Sequence, residues 1–187
     1  MKNILFILLF LAFATFVHGQ EKEENVVSTS PIEIQVGLLG IWMNKEYKLA
    51  DQFAIRTEVG LDSEISAINS EDAYIMYPVF TAEPRWYYNF KKRSQKGKKT
   101  TGNFGNFVSL KSSFHPDLFV ISNYYESIVP DLSIVPTWGI RRPISESFSF
   151  EAGIGLGYIF YFYKTQGYTS NEGELAANIH LRFGYRF

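Results

Sequence analysis

Apolar and polar residues alternate over the last nine residues of the chain. The apolar positions are Ile179, Leu181, Phe183, Tyr185 and Phe187. The positions between them are His180, Arg182, Gly184 and Arg186. Because successive side chains of a β-strand point to opposite faces, this pattern predicts a strand with one apolar and one polar face.

The same two-residue period recurs through most of the chain, and helical periodicity is nearly absent. It is found at 32–42, 53–62, 80–90, 132–141 and 148–162, and more weakly at 106–114. The composition agrees with strands, since 12 Tyr, 17 Phe and 3 Trp occur among 187 residues. The sequence therefore predicts an all-β fold with at least seven antiparallel strands.

The segments between these strands alternate in length. Short or basic turns are predicted at 48–52, 91–103 and 143–147, and longer polar connections at 63–73, 115–130 and 164–173. A closed up-and-down sheet with both termini at one end needs an even number of strands. We therefore expect an eighth strand, either in 21–30 or in 118–123.

The N-terminus predicts export. Residues 1–19 combine an early Lys2 with an apolar stretch and a small residue at Gly19, which is typical of a cleaved signal peptide. No apolar run after residue 20 is long enough for a membrane-spanning helix, so a membrane protein of this sequence must cross with strands. We predict a signal peptide (1–19), an N-terminal lead (20–31) that could hold a weak first strand, and an antiparallel up-and-down transmembrane β-barrel of eight strands (32–187).

The polar faces of these strands carry charges that would point into such a barrel. They are Arg56, Glu58, Glu83, Arg85, Arg141, Glu151, Arg182 and Arg186. An eight-stranded barrel is just wide enough to be filled by side chains, and enclosed charges need partners. The sequence favours an ion-paired network that plugs the interior over a narrow ion-conducting path.

The densest run of positive charge lies in one predicted turn. It comprises Lys91, Lys92, Arg93, Lys96, Lys98 and Lys99. A solvated turn is the favoured interpretation, and the alternative is a site for an anionic ligand, either lipid phosphate or a partner on the peptidoglycan side. The net charge of the whole chain is only −1, so no nucleic-acid partner is expected.

The sequence offers little for catalysis or for cofactors. His115, with Asp117 and Ser113 nearby, keeps an enzyme hypothesis open, although turn residues are the favoured interpretation. Gly153, Gly155 and Gly157 lie within a continuous strand and therefore do not form a nucleotide loop; we expect them to make room for long side chains from neighbouring strands. There is no cysteine, and we predict neither a cofactor, a metal site nor an enzyme.

Four segments resemble the small outer-membrane β-barrel proteins of the Bacteroidota, which are similar to the transmembrane domain of outer-membrane protein A. They are EPRWYYN (83–89), WGIRR (138–142), EAGIGLGY (151–158) and LRFGYRF (181–187). The resemblance implies an integral protein of the bacterial outer membrane that contacts its lipids. Phe183, Tyr185 and Phe187 would then be the signal bound by the barrel-assembly machinery during insertion.

The resemblance leaves the role of the protein open among three classes. A structural or surface-interaction barrel is favoured, a small transport or binding barrel for an amphipathic ligand is the alternative, and a lipid-modifying enzyme is less favoured.

At the membrane interfaces we expect girdles of aromatic side chains. The candidates are Trp42, Trp86, Tyr87, Tyr88 and Trp138, with the aromatic residues of 158–163 at the far end of their strand.

Overall fold

The computed structural model describes residues 26–68, 71–123, 128–167 and 169–187, so the predicted signal peptide lies outside the described residues. The strands are β1 (Glu33–Gly37), β2 (Gly40–Ala50), β3 (Phe53–Ile68), β4 (Glu71–Trp86), β5 (Asn106–His115), β6 (Ile121–Ser122), β7 (Asp131–Pro143), β8 (Phe148–Tyr161) and β9 (Glu172–Arg186). One short helix, α1 (Phe90–Gln95), follows β4, and a 3-10 turn (Tyr163–Gln166) follows β8.

All nine strands belong to one antiparallel sheet, and the sheet closes on itself. Pairing of β3 with β4 completes a ring in the order β1-β2-β3-β4-β5-β7-β8-β9. The strand β6 has only two residues and pairs only with β4. It pairs with Ile75 and Met76, which lie beyond the residues of β4 that pair with β5. The predicted all-β antiparallel fold is confirmed.

The first strand of the ring is not where the sequence predicted it. The segment 32–42, predicted as one strand, is a hairpin in which β1 and β2 are joined by a turn at 38–39. Two leucines occupy that turn and continue the apolar pattern, which hid the chain reversal. Neither predicted location supplies a ring strand among the described residues: 21–25 lies outside them, 26–30 contains no strand, and β6 lies outside the ring.

Two predicted connections are also different in the structure. Most of 63–73 is strand, because β3 and β4 continue pairing up to Ile68 and Glu71; the polar residues there concealed a long hairpin. The basic segment 91–103 contains most of α1 instead of being only a turn. Its lysines and arginine are compatible with a helix because these residues have good helix propensity.

The ring has two distinct ends. The terminal end carries Ile32, the C-terminal Phe187 and the connections at 51–52, 87–105 and 144–147. The loop end carries the turn at 38–39 and the connections at 116–130 and 162–171. Successive strands of the ring therefore run in alternate directions between the two ends, and both ends of the described chain lie on the same side.

Burial is inverted relative to an ordinary globular domain. Among the described residues, 21 polar or charged residues are buried against ten hydrophobic ones, while 34 large hydrophobic residues are exposed. The buried polar side chains alternate along the strands with the exposed apolar ones, so the polar face of the sheet is the enclosed face. No helix in the described part of the chain is long and apolar enough to cross a membrane.

Candidate functional site

A network of charged side chains fills the ring towards its terminal end. Seven strands contribute to it. Its members are Glu33 (β1), Glu46 (β2), Arg56 and Glu58 (β3), Glu83 and Arg85 (β4), Arg141 (β7), Glu151 (β8) and Arg182 (β9), and all of them are buried. Lys111 on β5 adds a fifth cation that interacts electrostatically with Glu58. The five carboxylates are thus balanced by five positive charges.

Glu151 is the centre of one half of this network. Its carboxylate accepts hydrogen bonds from Arg56 Nη1 at 3.0 and 3.1 Å. Arg85 donates to the same two oxygens, from Nη1 at 3.0 Å and from Nη2 at 2.8 Å. Because charge-assisted bonds of this kind are stronger than neutral ones, Glu151 holds two arginines from neighbouring strands together despite their like charge.

Glu46 is the centre of the other half. Its Oε1 accepts from Arg85 at 3.1 Å and from Arg141 at 2.9 Å. Tyr87 donates its hydroxyl proton to the carboxylate at 2.9 Å, and Asn103 Nδ2 donates to Oε2 at 2.7 Å. Every described contact of this carboxylate therefore comes from a donor.

These contacts cross the whole width of the ring. Arg56 on β3 reaches Glu151 on β8, and three strands separate β3 from β8 in either direction. Arg141 on β7 reaches Glu46 on β2, which is likewise directly opposite. Side chains from opposite strands therefore meet at hydrogen-bonding distance in the interior of the ring. The arrangement can hold charge in place across the ring.

All eight charged residues singled out in the sequence lie on the enclosed face, and seven of them form carboxylate–guanidinium pairs. Arg186 is the exception, since it donates to the Glu146 carbonyl and lies over the Phe104 ring at 4.7 Å. Glu33 and Glu46 were missed, because the hidden hairpin displaced the strand assignment around them. The alternation of Trp42, Asn44 and Glu46 after the turn was the available signal.

A hydrophobic cluster closes the terminal end below this network. It consists of Val27, Ala54, Tyr87, Phe90 and Phe107, all buried. The lead is held there by backbone hydrogen bonds, from Val27 N to the Asp51 carbonyl at 2.8 Å and between Ser28 and the Asn103 side chain. The described part of the N-terminal lead therefore serves as a cover over the ring.

A second polar cluster lies nearer the loop end, around His115. Its Nδ1 lies 2.9 Å from Asp131 and its Nε2 lies 3.1 Å from Asp62. Two carboxylates can both accept from one imidazole only when both ring nitrogens carry protons, so this geometry fits the imidazolium form. In that form His115 is a cation that bridges two carboxylates from β3 and β7.

The predicted grouping of His115 with Asp117 and Ser113 is not found. The ring nitrogens of His115 contact Asp131 and Asp62, and the Ser113 hydroxyl lies 2.9 Å from that of Thr81. In the described parts of the chain, no three His, Asp or Glu side chains are arranged as metal ligands.

Gly153, one of the inward glycines of β8, makes room for a side chain of the neighbouring strand β9. A Cβ atom on Gly153 would lie 2.4 Å from the His180 ring, so this glycine accommodates His180. His180 in turn lies 3.6 Å from Glu151.

The predicted aromatic girdle is partly wrong. Trp86, Tyr88 and Trp138 are exposed on the outer face, as expected of girdle residues. Trp42 and Tyr87 are buried inside the ring, because the alternation along β2 directs Trp42 inward and that of β4 continues to Tyr87, just beyond its end. There Trp42 donates to Asp62 at 2.6 Å and stacks under the Arg182 guanidinium at 3.6 Å.

The basic residues of segment 91–103 lie around two open clefts at the terminal end. Lys92, Arg93, Lys96 and Lys98 border a groove of ≈ 470 Å³ that also includes Tyr88 and Arg142. Lys98 and Lys99 border a second cleft of ≈ 800 Å³ beside the lead. Lys91 belongs to neither cleft, although it is the first basic residue of the run.

The three C-terminal aromatics of the predicted assembly signal project outward. Phe183, Tyr185 and Phe187 are all exposed, and the Tyr185 and Phe187 rings meet edge to face at 5.2 Å.

Comparison of the chain with protein-family models, with curated proteins and with solved structures found no match.

Proposed function

We propose that this protein is a non-enzymatic β-barrel of the bacterial outer membrane, with a plugged polar interior and a structural or surface-interaction role. The observation that carries the proposal is the inversion of burial: charged side chains fill the ring and large apolar side chains cover it. A soluble ring of strands would place its apolar face inward.

The outer surface supports a lipid environment. Exposed apolar residues occupy neighbouring strands all around the ring, for example Met43 on β2, Val59 on β3, Phe80 on β4, Leu110 on β5 and Leu156 on β8. Monomeric soluble proteins seldom expose continuous apolar patches above a few hundred Å². In a bilayer core the same surface is favourable, and closure of the sheet into a ring satisfies the backbone groups of the paired residues.

The interior favours a plug over transport. Arginines that bind glutamates on opposite strands occupy the space that a permeant molecule would need. Opening a path would separate buried charges from their partners, which costs several kcal/mol for each broken pair. A conducting or ligand-carrying barrel is therefore the weaker interpretation, and the loop end is the place to search for partners.

The loop end also supports a surface-interaction role. β3 and β4 continue as a paired hairpin far beyond the end of β5, and β6 adds to the edge of β4 there. Exposed apolar side chains, Leu118 and Phe119, lie in the connection beside this hairpin. In outer-membrane barrels the longer loops face outward, so this end would face the cell exterior.

Subcellular fractionation tests the proposal. The full chain is expressed in a bacterium, and membranes are separated by density and washed with alkaline carbonate to remove peripheral proteins. We expect the protein in the carbonate-resistant outer-membrane fraction, with different gel mobility before and after boiling because the folded barrel resists detergent. Recovery from the soluble periplasm, with one mobility at all temperatures, would overturn the proposal.

A further inference from the structure

We propose that the groove between α1 and the terminal ends of β4 and β7 binds the phosphate of an anionic phospholipid headgroup. This inference rests on the proposed membrane location, because it places the groove at the level of the headgroups. We call it the phosphate groove. The residues that carry the argument are Tyr88, Lys92, Arg93, Lys96, Lys98 and Arg142.

The phosphate groove concentrates positive charge without counter-charge. Five of those six residues are cationic, and no acidic residue borders the groove. None of the five forms a salt bridge within the described part of the chain. Like charges held together are unfavourable unless an anion lies between them, so an anionic ligand would stabilise this arrangement.

The two arginines are fixed in position by neutral oxygens. Arg93 Nε donates to the Phe104 carbonyl at 2.9 Å, and Arg142 Nη1 donates to the next carbonyl, that of Gly105, at 3.0 Å. Arg142 also donates to the Asn106 side-chain oxygen. These bonds orient both guanidiniums beside one another but do not neutralise them. A planar guanidinium fixed in this way is well suited to a phosphate oxygen.

The hydrogen bonds of Tyr88 independently indicate a place for a hydrogen-bond acceptor in the phosphate groove. Its hydroxyl oxygen accepts from Trp138 Nε1 at 2.9 Å and from Asn106 Nδ2 at 3.2 Å. Two accepted bonds occupy both lone pairs of this oxygen, which leaves the Tyr88 proton to be donated. Since Tyr88 borders the groove, a phosphate oxygen there would receive that proton in a hydrogen bond.

The groove also adjoins the exposed aromatic residues of the rim. Trp86 and Tyr88 pack edge to face at 6.0 Å, and Trp138 is exposed next to them. Aromatic side chains of this kind concentrate where acyl chains meet headgroups. A lipid with its phosphate in the groove could therefore lay its acyl chains along the apolar outer face, which a free phosphate ion cannot do.

Native mass spectrometry of the mature protein in detergent tests the inference, using phosphatidylglycerol as the probe lipid. Phosphatidylcholine has the same phosphodiester without net charge, and diacylglycerol has no phosphate. We expect retention in the order phosphatidylglycerol, phosphatidylcholine, diacylglycerol. Equal retention of all three would overturn the inference, and displacement of phosphatidylglycerol by millimolar inorganic phosphate would assign the site to free phosphate instead.

Matched variants separate a defined groove from general surface charge. The double variant Lys92→Gln/Lys96→Gln should weaken phosphatidylglycerol binding about thirtyfold, from about one kcal/mol for each lost charge. Lys91→Gln/Lys164→Gln removes the same charge outside the groove and should change affinity less than about threefold. Equal losses in both variants would contradict the inference.

Two further readouts keep the test decisive. Tyr88→Phe leaves the charge unchanged and should weaken phosphatidylglycerol binding by several-fold. An unchanged affinity would contradict a hydrogen bond from the Tyr88 hydroxyl to the phosphate. Heat-dependent gel mobility is measured on every preparation. A heat-modifiable protein that does not discriminate among the lipids refutes only the groove, while a protein that is never heat-modifiable refutes the membrane proposal itself.

Discussion

Arg56 and Glu151 meet in the middle of the ring, 3.0 and 3.1 Å apart, although they project from strands on opposite sides of it. Each is held by additional partners, since Arg56 also donates to Glu58 at 2.6 Å and Glu151 also accepts from Arg85. The contact joins the two halves of the sheet through side chains alone. It therefore both occupies the interior of the ring and links strands on its opposite sides.

Removal of the central carboxylate should destabilise the protein strongly. Glu151→Gln deprives Arg56 and Arg85 of a shared counter-charge while both stay buried, and breaking a buried pair in this way costs about 3–5 kcal/mol. The measurement is the free energy of unfolding in urea of protein refolded in detergent micelles. The exposed Glu172→Gln is the matched control and should change stability by less than about 0.5 kcal/mol. Similar losses for both variants would contradict a network centred on Glu151.

The filled interior should not conduct ions. Planar-bilayer recordings of the purified protein are expected to lack stable open levels, because eight strands enclose only enough space for side chains. The triple variant Arg56→Ala/Arg141→Ala/Glu151→Ala removes members of both pairs that cross the ring, Arg56–Glu151 and Arg141–Glu46, and should conduct if it still shows heat-dependent mobility. Reproducible open levels in the unmodified protein would refute the plug.

The terminal phenylalanine should matter for assembly more than for stability. Phe187→Ser is expected to lower the amount of protein in the outer membrane several-fold, while refolding in detergent is retained. Phe148→Ser is the matched control, because the Phe148 ring also packs edge to face on Tyr185, at 5.1 Å, but lies outside the C-terminal segment. Quantitative immunoblots of outer-membrane fractions measure both. Equal losses would assign Phe187 a packing role only.

The two-residue period predicted most strands and the polar interior because a closed sheet separates its faces so completely. Arg182 and Arg186 on one face of β9 already required an enclosed or solvated polar side. The turn at 38–39 was missed because two leucines form it and continue the apolar pattern, although the flanking Gly37 and Gly40 were the available turn signal. Because apolar residues occupy this turn, β1 and β2 were predicted as one strand, and the eighth strand of the ring was missed.

The network and the phosphate groove were less predictable, because their members are distant in sequence. Glu46 binds Arg141, 95 residues away, and only the closed register brings them together. Tyr88 and Trp138 meet across a separation of 50 residues at the ends of β4 and β7. A basic run could be recognised in the sequence, but Arg142 and Tyr88 could be joined to it only once the strand order was known.

The most direct test of the membrane claim uses the absence of cysteine in the chain, which permits a single spin label at any chosen position. Ile154→Cys places the label on the outer face of β8, where Ile154 is 58% exposed, and Glu146→Cys places it in a turn at the terminal end. Power-saturation electron paramagnetic resonance in liposomes then compares collisions with oxygen, which dissolves in lipid, and with a polar nickel chelate, which does not. The proposal predicts that the label at 154 meets oxygen and little nickel, and that the label at 146 meets nickel; a label at 154 as accessible to nickel as the label at 146 would contradict it.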